Sequence, residues 1–116
     1  MMGGTGPADA ATDAFVRNLA VEIGPLGVRV VGIWTAGLPE TFSREKLAEY
    51  DSRFQDEAAL RGLIESLDGM RMTRRSPRLA EVAATAAFLA SDGAAAITGA
   101  FVNVTSGMFP SLPGPR

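Results

Sequence analysis

The chain has 116 residues, of which 47% are hydrophobic and 21% are charged, a composition typical of one globular domain or of part of a larger one. Its 11 basic and 13 acidic residues give a formal net charge of -2, which leaves no basic excess for nucleic-acid binding. The absence of cysteine and histidine excludes disulfides, thiolate nucleophiles, a Ser-His-Asp triad and the commonest metal ligands.

Nothing in the sequence predicts a membrane segment or a secretory signal. No run of about 18 or more apolar residues occurs. Residues 1–7 lack the basic and apolar regions of a signal peptide. We therefore expect a cytoplasmic protein that binds neither nucleic acid nor membrane.

The first part of the chain predicts one helix and one strand. Residues 3–7 are typical of a flexible loop, and residues 8–23 predict a helix. The apolar face of this helix consists of Ala11, Phe15, Val16, Leu19, Ala20 and Ile23. Residues 28–33 follow as a nearly continuous apolar run, which is typical of a strand covered by helices on both faces.

The second part predicts further helices and one more strand. Residues 34–41 are predicted to form a loop, followed by polar helices over residues 43–51 and 54–67. Ser76 and Pro77 suit a helix N-cap and first helical position, and Asp92-Gly93 ends that helix. Residues 100–104 predict a second buried strand, and the Pro/Gly-rich residues 110–116 a loosely held tail.

This order of elements predicts an α/β arrangement that is incomplete by itself. Two parallel strands need a crossover, which the helices between them provide. A two-stranded sheet is rarely stable alone, yet both strands have the composition of buried strands. The chain therefore reads as part of a wider sheet, completed by further sequence, by another copy or by a partner.

Three separated blocks resemble the short-chain dehydrogenase/reductase (SDR) family. Residues 13–30 resemble the long helix after the active site, which ends at a Glu-x-Gly-x-x-Gly-(Ile/Val)-Arg-Val turn into the sixth strand. Residues 80–83, 88–92 and 97–99 resemble the last helix and last strand, and residues 103–107 stand where the family has an Asp-Gly-Gly ending. The resemblance implies the C-terminal part of a Rossmann-like doubly wound parallel sheet, with two strands and three to four helices. Residues 1–116 would form a single partial domain, the C-terminal half of that fold.

The resemblance also implies a cofactor and partners. The family transfers hydride between NAD or NADP and an alcohol or carbonyl. Its oligomers commonly pack through the long helix and through the last helix and strand. We therefore expect a homo-oligomer, or association with the missing N-terminal half, through those elements.

The positions of the family's catalytic Tyr-x-x-x-Lys pair hold other residues here. Aligning residues 10–13 with the family's Ala-Ala-x-Asp puts Thr5 at the tyrosine and Asp9 at the lysine. A threonine hydroxyl has too high a pKa to act as the acid, and an aspartate reverses the charge of the lysine. No catalytic residue is therefore predicted. A compatible interpretation is that Thr5 and Asp9 cap the helix.

A glycine pattern at the N-terminus does not predict a phosphate site. Gly4-Thr5-Gly6 followed by Asp9 matches part of a Gly-x-Gly-x-x-Gly loop, but the third glycine and the preceding strand are missing. A flexible loop is the favoured interpretation.

The loop after the first predicted strand resembles the family's nicotinamide loop, Pro-Gly-x-(Ile/Val)-x-Thr. Residues 36–41 read Ala-Gly-Leu-Pro-Glu-Thr, so Gly37 and Thr41 match. Pro39 stands where a backbone N–H commonly bonds the cofactor, and proline has none. The candidate cofactor-binding residues are Gly37, Leu38, Pro39 and Thr41. A hydroxyl contact from Thr41 stays open, and the chain alone is not expected to hold NAD or NADP firmly.

Other polar side chains are interpreted as surface features. Lys46 and Tyr50 reverse the order of the catalytic pair, and we favour a solvated lysine beside a half-buried tyrosine. An arginine cluster could attract a phosphate or an acidic surface, but surface ion pairs with Glu65, Asp68 and Glu81 are favoured. The cluster consists of Arg71, Arg74, Arg75 and Arg78. Five carboxylates are interpreted as solvated helix faces and not as a metal site: Glu45, Glu49, Asp51, Asp56 and Glu57.

Two functions of different classes follow. The leading hypothesis is the C-terminal half of an atypical SDR oxidoreductase that does not turn over substrate alone. The alternative is a non-catalytic oligomerisation or interaction module on the same scaffold. A third possibility is a protein that keeps NAD(P) binding as a redox sensor, or that has adopted different chemistry.

Overall fold

The computed structural model describes residues 5–108, with the side chain of Thr5 outside the description. Its helices and strands are α1 (Thr5–Ile23), β1 (Val31–Trp34), α2 (Arg44–Tyr50), α3 (Glu57–Met70), α4 (Leu79–Ala90) and β2 (Ala100–Asn103). The strands pair in parallel as a two-stranded sheet, with α2, α3 and α4 in the connection. The α/β prediction, with part of a Rossmann-like sheet, is confirmed. The predicted tail over residues 110–116 lies outside the described residues.

The four helices of the described residues begin at positions other than those predicted, α2 at Arg44 and α3 at Glu57 rather than at residues 43 and 54. The first, α1, begins at Thr5, so Gly6 and Pro7 are helical and not part of a loop. Proline is tolerated there because the first amide groups of a helix have no intrahelical acceptor. The fourth, α4, begins at Leu79, later than Ser76 and Pro77 suggest.

Carboxylates explain the start of α4. The amide of Arg78 donates to Glu81 Oε2 at 2.7 Å. The amide of Leu79 donates to Glu40 Oε2 at 2.6 Å. These bonds satisfy two of the amides that every helix leaves free at its N-terminus, as a capping side chain does. Ser76 is not available as the cap because its hydroxyl is bonded elsewhere, as described below.

The chain divides into two compact units. The first comprises the residues up to Trp34 together with Ala84–Val102. Its buried apolar side chains are Val16 and Ala20 of α1, Leu89 of α4, and Ala94. Arg29 caps the C-terminus of α4 in this unit, because its Nη2 donates to the carbonyl of Leu89 at 2.7 Å. Free carbonyls at a helix C-terminus are favourable partners for a cation.

The strands are joined by contacts in the first unit. The amide of Gly99 donates to the carbonyl of Val30 at 2.8 Å, just before the two strands begin. The Trp34 and Phe101 rings lie 5.6 Å apart between centroids, with their planes tilted by 44°. Both strands are half-buried in the described residues, with Ala100 exposed, and their burial on both faces within a wider sheet stays a prediction. A sheet of two strands leaves one edge of each strand unpaired, which limits burial.

Gly32 is where the sheet tolerates a side chain least. A Cβ atom at Gly32 would overlap the ring of Phe101. We expect G32A to lower the free energy of unfolding by about 1–3 kcal/mol, because overpacking forces the half-buried Phe101 ring from its position. Urea denaturation followed by circular dichroism measures this.

Gly62 in α3 provides the matched control for that substitution. An added Cβ there meets nothing within 4 Å. We expect G62A to raise the free energy of unfolding by about 0.5–1 kcal/mol, since alanine is the better helix former. Equal effects of the two substitutions would contradict the packing described for Gly32.

The second unit comprises Thr35–Ala83 with the residues from Asn103 on. Its helices begin at side chains that cap them: Ser43 accepts from Lys46 N before α2, and Asp56 accepts from Ala58 N before α3. Asp51 caps the short helix between them. Asp51 and Asp56 therefore cap the N-termini of helices. Glu45, Glu49 and Glu57 are exposed on helix faces, as predicted.

Candidate functional site

The candidate site is the loop that follows β1, residues 36–41, in the second unit. Gly37 has a φ of 49°, a left-handed conformation that favours glycine. Pro39–Thr41 form one short 3-10 turn, which begins at the proline. The four candidate residues Gly37, Leu38, Pro39 and Thr41 are thus brought together as a single bend.

Thr41 closes this bend. Its amide donates to the carbonyl of Leu38 at 2.9 Å, and its Oγ1 donates to the same oxygen at 2.7 Å. The hydroxyl keeps its lone pairs as acceptors. Thr41 is exposed and so remains accessible to a ligand that carries an N–H donor.

The loop fits the carboxamide end of a nicotinamide cofactor in part. Backbone amides at Gly37 and Leu38 and the Thr41 oxygen are the polar groups it offers. The missing side chain of Gly37 permits close approach of the Leu67 and Arg71 side chains. Pro39 offers no N–H, which removes the donor that the family resemblance places there.

Arg71 is bonded to this loop and is the most deeply buried charged side chain among the described residues, at 1% exposure. Its Nη2 donates to the carbonyls of Ala36 and Gly37, at 2.5 and 2.7 Å. Its Nη1 donates to the carbonyl of Thr105 at 2.6 Å. The prediction of a surface ion pair is therefore wrong for Arg71, because backbone carbonyls from distant parts of the sequence bind it instead. Burial lowers the pKa of this guanidinium below its ordinary value.

Ser76 links Arg71 to a carboxylate. Arg71 Nε donates to Ser76 Oγ at 3.0 Å, while the Ser76 hydroxyl and amide both donate to Asp68 Oδ1. These two bonds, first the hydroxyl and then the amide, hold the pKa of Asp68 below its usual range. The Asp68 carboxylate is therefore connected to the Arg71 guanidinium through the Ser76 hydroxyl and not through a direct ion pair.

The other arginines of the cluster behave differently from Arg71. Arg75 forms the predicted surface ion pair with Glu81, through two bonds of 2.8 Å each. Its guanidinium, with the Arg78 amide, lowers the pKa of Glu81 to about 2. Arg74 donates to the carbonyl of Gly69 and not to a carboxylate.

Acid is expected to destabilise the chain through Glu81. A carboxyl whose pKa is about 2 when folded and 4.5 as a free group stays charged in the folded chain as the pH falls. The unfolded state then binds protons first, so the free energy of unfolding falls as the pH drops from about 4.5 towards 2. Urea denaturation at several pH values measures this loss. E81Q should flatten the profile, with the difference from wild type vanishing near pH 2; an unchanged profile would contradict the pairing.

The segment after β2 was not predicted to take part in this site. Thr105 is 3% exposed, and its carbonyl accepts from Arg71. Its Oγ1 accepts from the Met108 amide at 2.9 Å, and its amide donates to Asn103 Oδ1 at 2.9 Å. The side chains of Asn103 and Thr105 thus form a local turn, which their residue types alone permit.

The residues aligned with the family's catalytic pair lie in α1, in the first unit. Asp9 is exposed and is the fifth residue of the helix, beyond its first turn, so its predicted capping role is wrong. The side chain of Thr5 is outside the description. Lys46 is exposed as predicted, but Tyr50 is 89% exposed and not half-buried.

Neither a metal-binding cluster nor a membrane-spanning helix occurs among the described residues. Among them no group of three or more acidic side chains is placed to hold a metal ion. None of the helices within residues 5–108 is long and apolar enough to cross a bilayer.

Comparison with known proteins gives the family. A family model described as enoyl-(acyl carrier protein) reductase, a group of short-chain dehydrogenases/reductases, matches residues 2–109. The chain belongs to the SDR family. It is 34% identical to the NADH-dependent enoyl-acyl-carrier-protein reductase FabI of Synechocystis sp. over 102 residues, which cover 88% of this chain and 35% of that protein.

Other SDR relatives extend the comparison. The peroxisomal 2,4-dienoyl-CoA reductase SPS19 of Saccharomyces cerevisiae is 29% identical over 92% of this chain and 33% of its own length. The structure of L-sorbose reductase from Gluconobacter frateurii, complexed with NADPH and L-sorbose, superposes with a TM-score of 0.70 at 24% identity. That superposition covers 89% of this chain and 39% of the reductase, and it shows a shared fold. The chain thus spans about a third of the length of the curated SDR relatives it matches.

Proposed function

We propose that this chain contributes to an SDR-type oxidoreductase, and that its 36–41 loop contacts the nicotinamide end of NAD or NADP. The observation that carries the proposal is the bend of Gly37, Leu38 and Thr41, which sits at the family's nicotinamide position in the sequence and is bonded to a buried arginine. The curated relatives are reductases, and one of the similar structures holds NADPH.

In this proposal the chain's own residues bind and orient the nicotinamide end of the cofactor, whereas the cofactor supplies the hydride when bound. No proton donor of the family's kind is present, because Thr5 and Asp9 occupy the positions aligned with the tyrosine and lysine. A threonine hydroxyl does not ionise near neutral pH, and an aspartate does not stabilise a neighbouring anion. We therefore propose that the chain contacts the cofactor without completing a turnover by itself.

Cofactor contact is tested by titrating NADH into the ¹⁵N-labelled chain. At 12.1 kDa the chain suits two-dimensional amide NMR. We expect the amide signals of Gly37, Leu38 and Thr41 to shift with rising NADH, with weak affinity. The P39A variant restores an N–H at the first position of the 3-10 turn, where no intrahelical acceptor exists. It should bind NADH more tightly than wild type. No shift in this loop at millimolar NADH would refute the proposed contact.

Turnover is tested separately. Incubation of the chain with NADH or NADPH and enoyl or carbonyl substrates should show no loss of absorbance from the reduced cofactor. Substrate-dependent oxidation by the purified chain would contradict the proposal that Thr5 and Asp9 leave it without the family's proton donor.

A second candidate function is a non-catalytic association module. It is favoured by large apolar side chains left exposed in the first unit, including Phe15 (62%) of α1 and Phe88 (51%) of α4. Phe15 belongs to the predicted apolar face of α1, and the described residues leave it uncovered. We propose that these helices pack against a second copy or against further SDR sequence. Light scattering tests self-association: the proposal expects a dimer or larger species that F15S dissociates, and a monomer at all concentrations would count against it.

A further inference from the structure

Arg71 determines how two peptide groups of the 36–41 loop are turned. Its Nη2 donates to the carbonyl oxygens of Ala36 and Gly37, which are consecutive along the chain. No cis peptide bond occurs among the described residues. In a planar trans peptide the N–H points opposite to the C=O. The amides of Gly37 and Leu38 therefore point away from the guanidinium.

These two amides are free donors in the described part of the chain. No hydrogen bond found among residues 5–108 uses the N–H of Gly37 or Leu38 as donor. Gly37 is exposed and Leu38 is half-buried, so a ligand can approach them. A backbone donor that is both fixed and free has a strong preference for an acceptor, because it gains a bond without loss of conformational freedom.

The guanidinium is itself held in place from three sides. The Thr105 carbonyl accepts from Nη1, and the Ser76 hydroxyl, bonded in turn to Asp68, accepts from Nε. A planar fork that binds four acceptors in different directions has little freedom to rotate. The Ala36 and Gly37 peptide groups that are bonded to the guanidinium are therefore held in a fixed orientation.

We propose that Arg71 is a positioning residue for the cofactor loop, which presents the amides of Gly37 and Leu38 to a carbonyl acceptor such as the nicotinamide carboxamide oxygen. The two amides replace the donor that is absent at Pro39. This inference rests on the proposed function, since the acceptor is the cofactor proposed for this loop.

The test compares the R71K variant with wild type by amide NMR. Lysine keeps the charge, but its single ammonium does not span the four acceptors that the guanidinium binds. We expect the Thr41, Phe42 and Met108 amides, which are bonded within the loop and the segment after β2, to exchange faster with solvent in R71K. NADH affinity should fall about tenfold, the cost of one well-placed hydrogen bond.

Two further variants separate positioning from general stability. S76A removes only the hydroxyl that accepts from Arg71 Nε, and should change the same amides in the same direction by less. R29K is the matched control, because Arg29 also binds backbone carbonyls, those of Leu89 and Ile97, but in the first unit. It should leave the 36–41 amides and NADH affinity unchanged.

The outcomes decide between the two proposals. Faster exchange confined to the loop and to residues near Thr105, with weaker NADH binding, supports the inference. Faster exchange throughout both units, or unchanged NADH affinity in R71K, overturns it. If wild type does not bind NADH at all, the proposed cofactor contact fails, while the exchange of Thr41 and Phe42 still decides whether Arg71 positions the loop.

Discussion

Replacement of Arg71 by methionine is expected to lower the free energy of unfolding by about 3 kcal/mol or more. The substitution keeps much of the side-chain volume but removes every donor, so the carbonyls of Ala36, Gly37 and Thr105 lose their partner at a buried position. A hydrogen bond to a charged group contributes about 1.5–3 kcal/mol, and R71M removes several such bonds, one of which leaves the buried Thr105 carbonyl unpaired. Urea denaturation at neutral pH measures the change.

R61M is the control for this substitution. Arg61 lies on α3 with 68% of its side chain exposed, and its nearest carboxylate, on Glu57, is 3.9 Å away. Surface pairs of this kind contribute about 0–1 kcal/mol, so R61M should change the free energy of unfolding by less than 1 kcal/mol. If R71M and R61M have equal effects, the burial and bonding described for Arg71 are wrong.

The second large effect is expected at Leu89. This side chain is 7% exposed, in the part of α4 that belongs to the first unit. L89A should lower the free energy of unfolding by about 2–5 kcal/mol, the sum of lost apolar burial and of the cavity left behind. Urea denaturation curves for wild type and variant, fitted with the same dependence of the free energy of unfolding on urea concentration, give this difference.

Leu26 provides the matched leucine, because it is 77% exposed. L26A should have little effect, since a surface leucine buries little area that alanine does not. A loss at Leu26 as large as the loss at Leu89 would contradict the exposure described for Leu26.

The loop at the candidate site is predictable from sequence because it is local. Gly37 supplies a left-handed residue, Pro39 begins the 3-10 turn, and the Thr41 hydroxyl bonds back to Leu38. Each of these features depends on residue types at most a few positions apart. Sequence spacing and turn chemistry are therefore sufficient to place them.

The arginine cluster shows where local reasoning ends. Arg71 and Arg75 are equivalent by composition, with carboxylates at similar distances along the sequence. Arg75 binds the nearby carboxylate of Glu81, whereas Arg71 donates to carbonyls more than thirty residues away in the sequence. Ser76 was predicted to cap α4, but the buried guanidinium and Asp68 occupy its hydroxyl. Nothing in the local pattern distinguishes these outcomes.

The sequence by itself determined the α/β class, because apolar periodicity and turn residues act over short separations. Its three family-like blocks indicated the SDR membership, and residues 34–41 were correctly placed as a loop after the first strand. Tertiary structure alone decided that Arg71 is buried, that Tyr50 is exposed and that Phe15 stays uncovered. Burial depends on which distant segments meet, and the acceptors for a charged side chain become available only once they do.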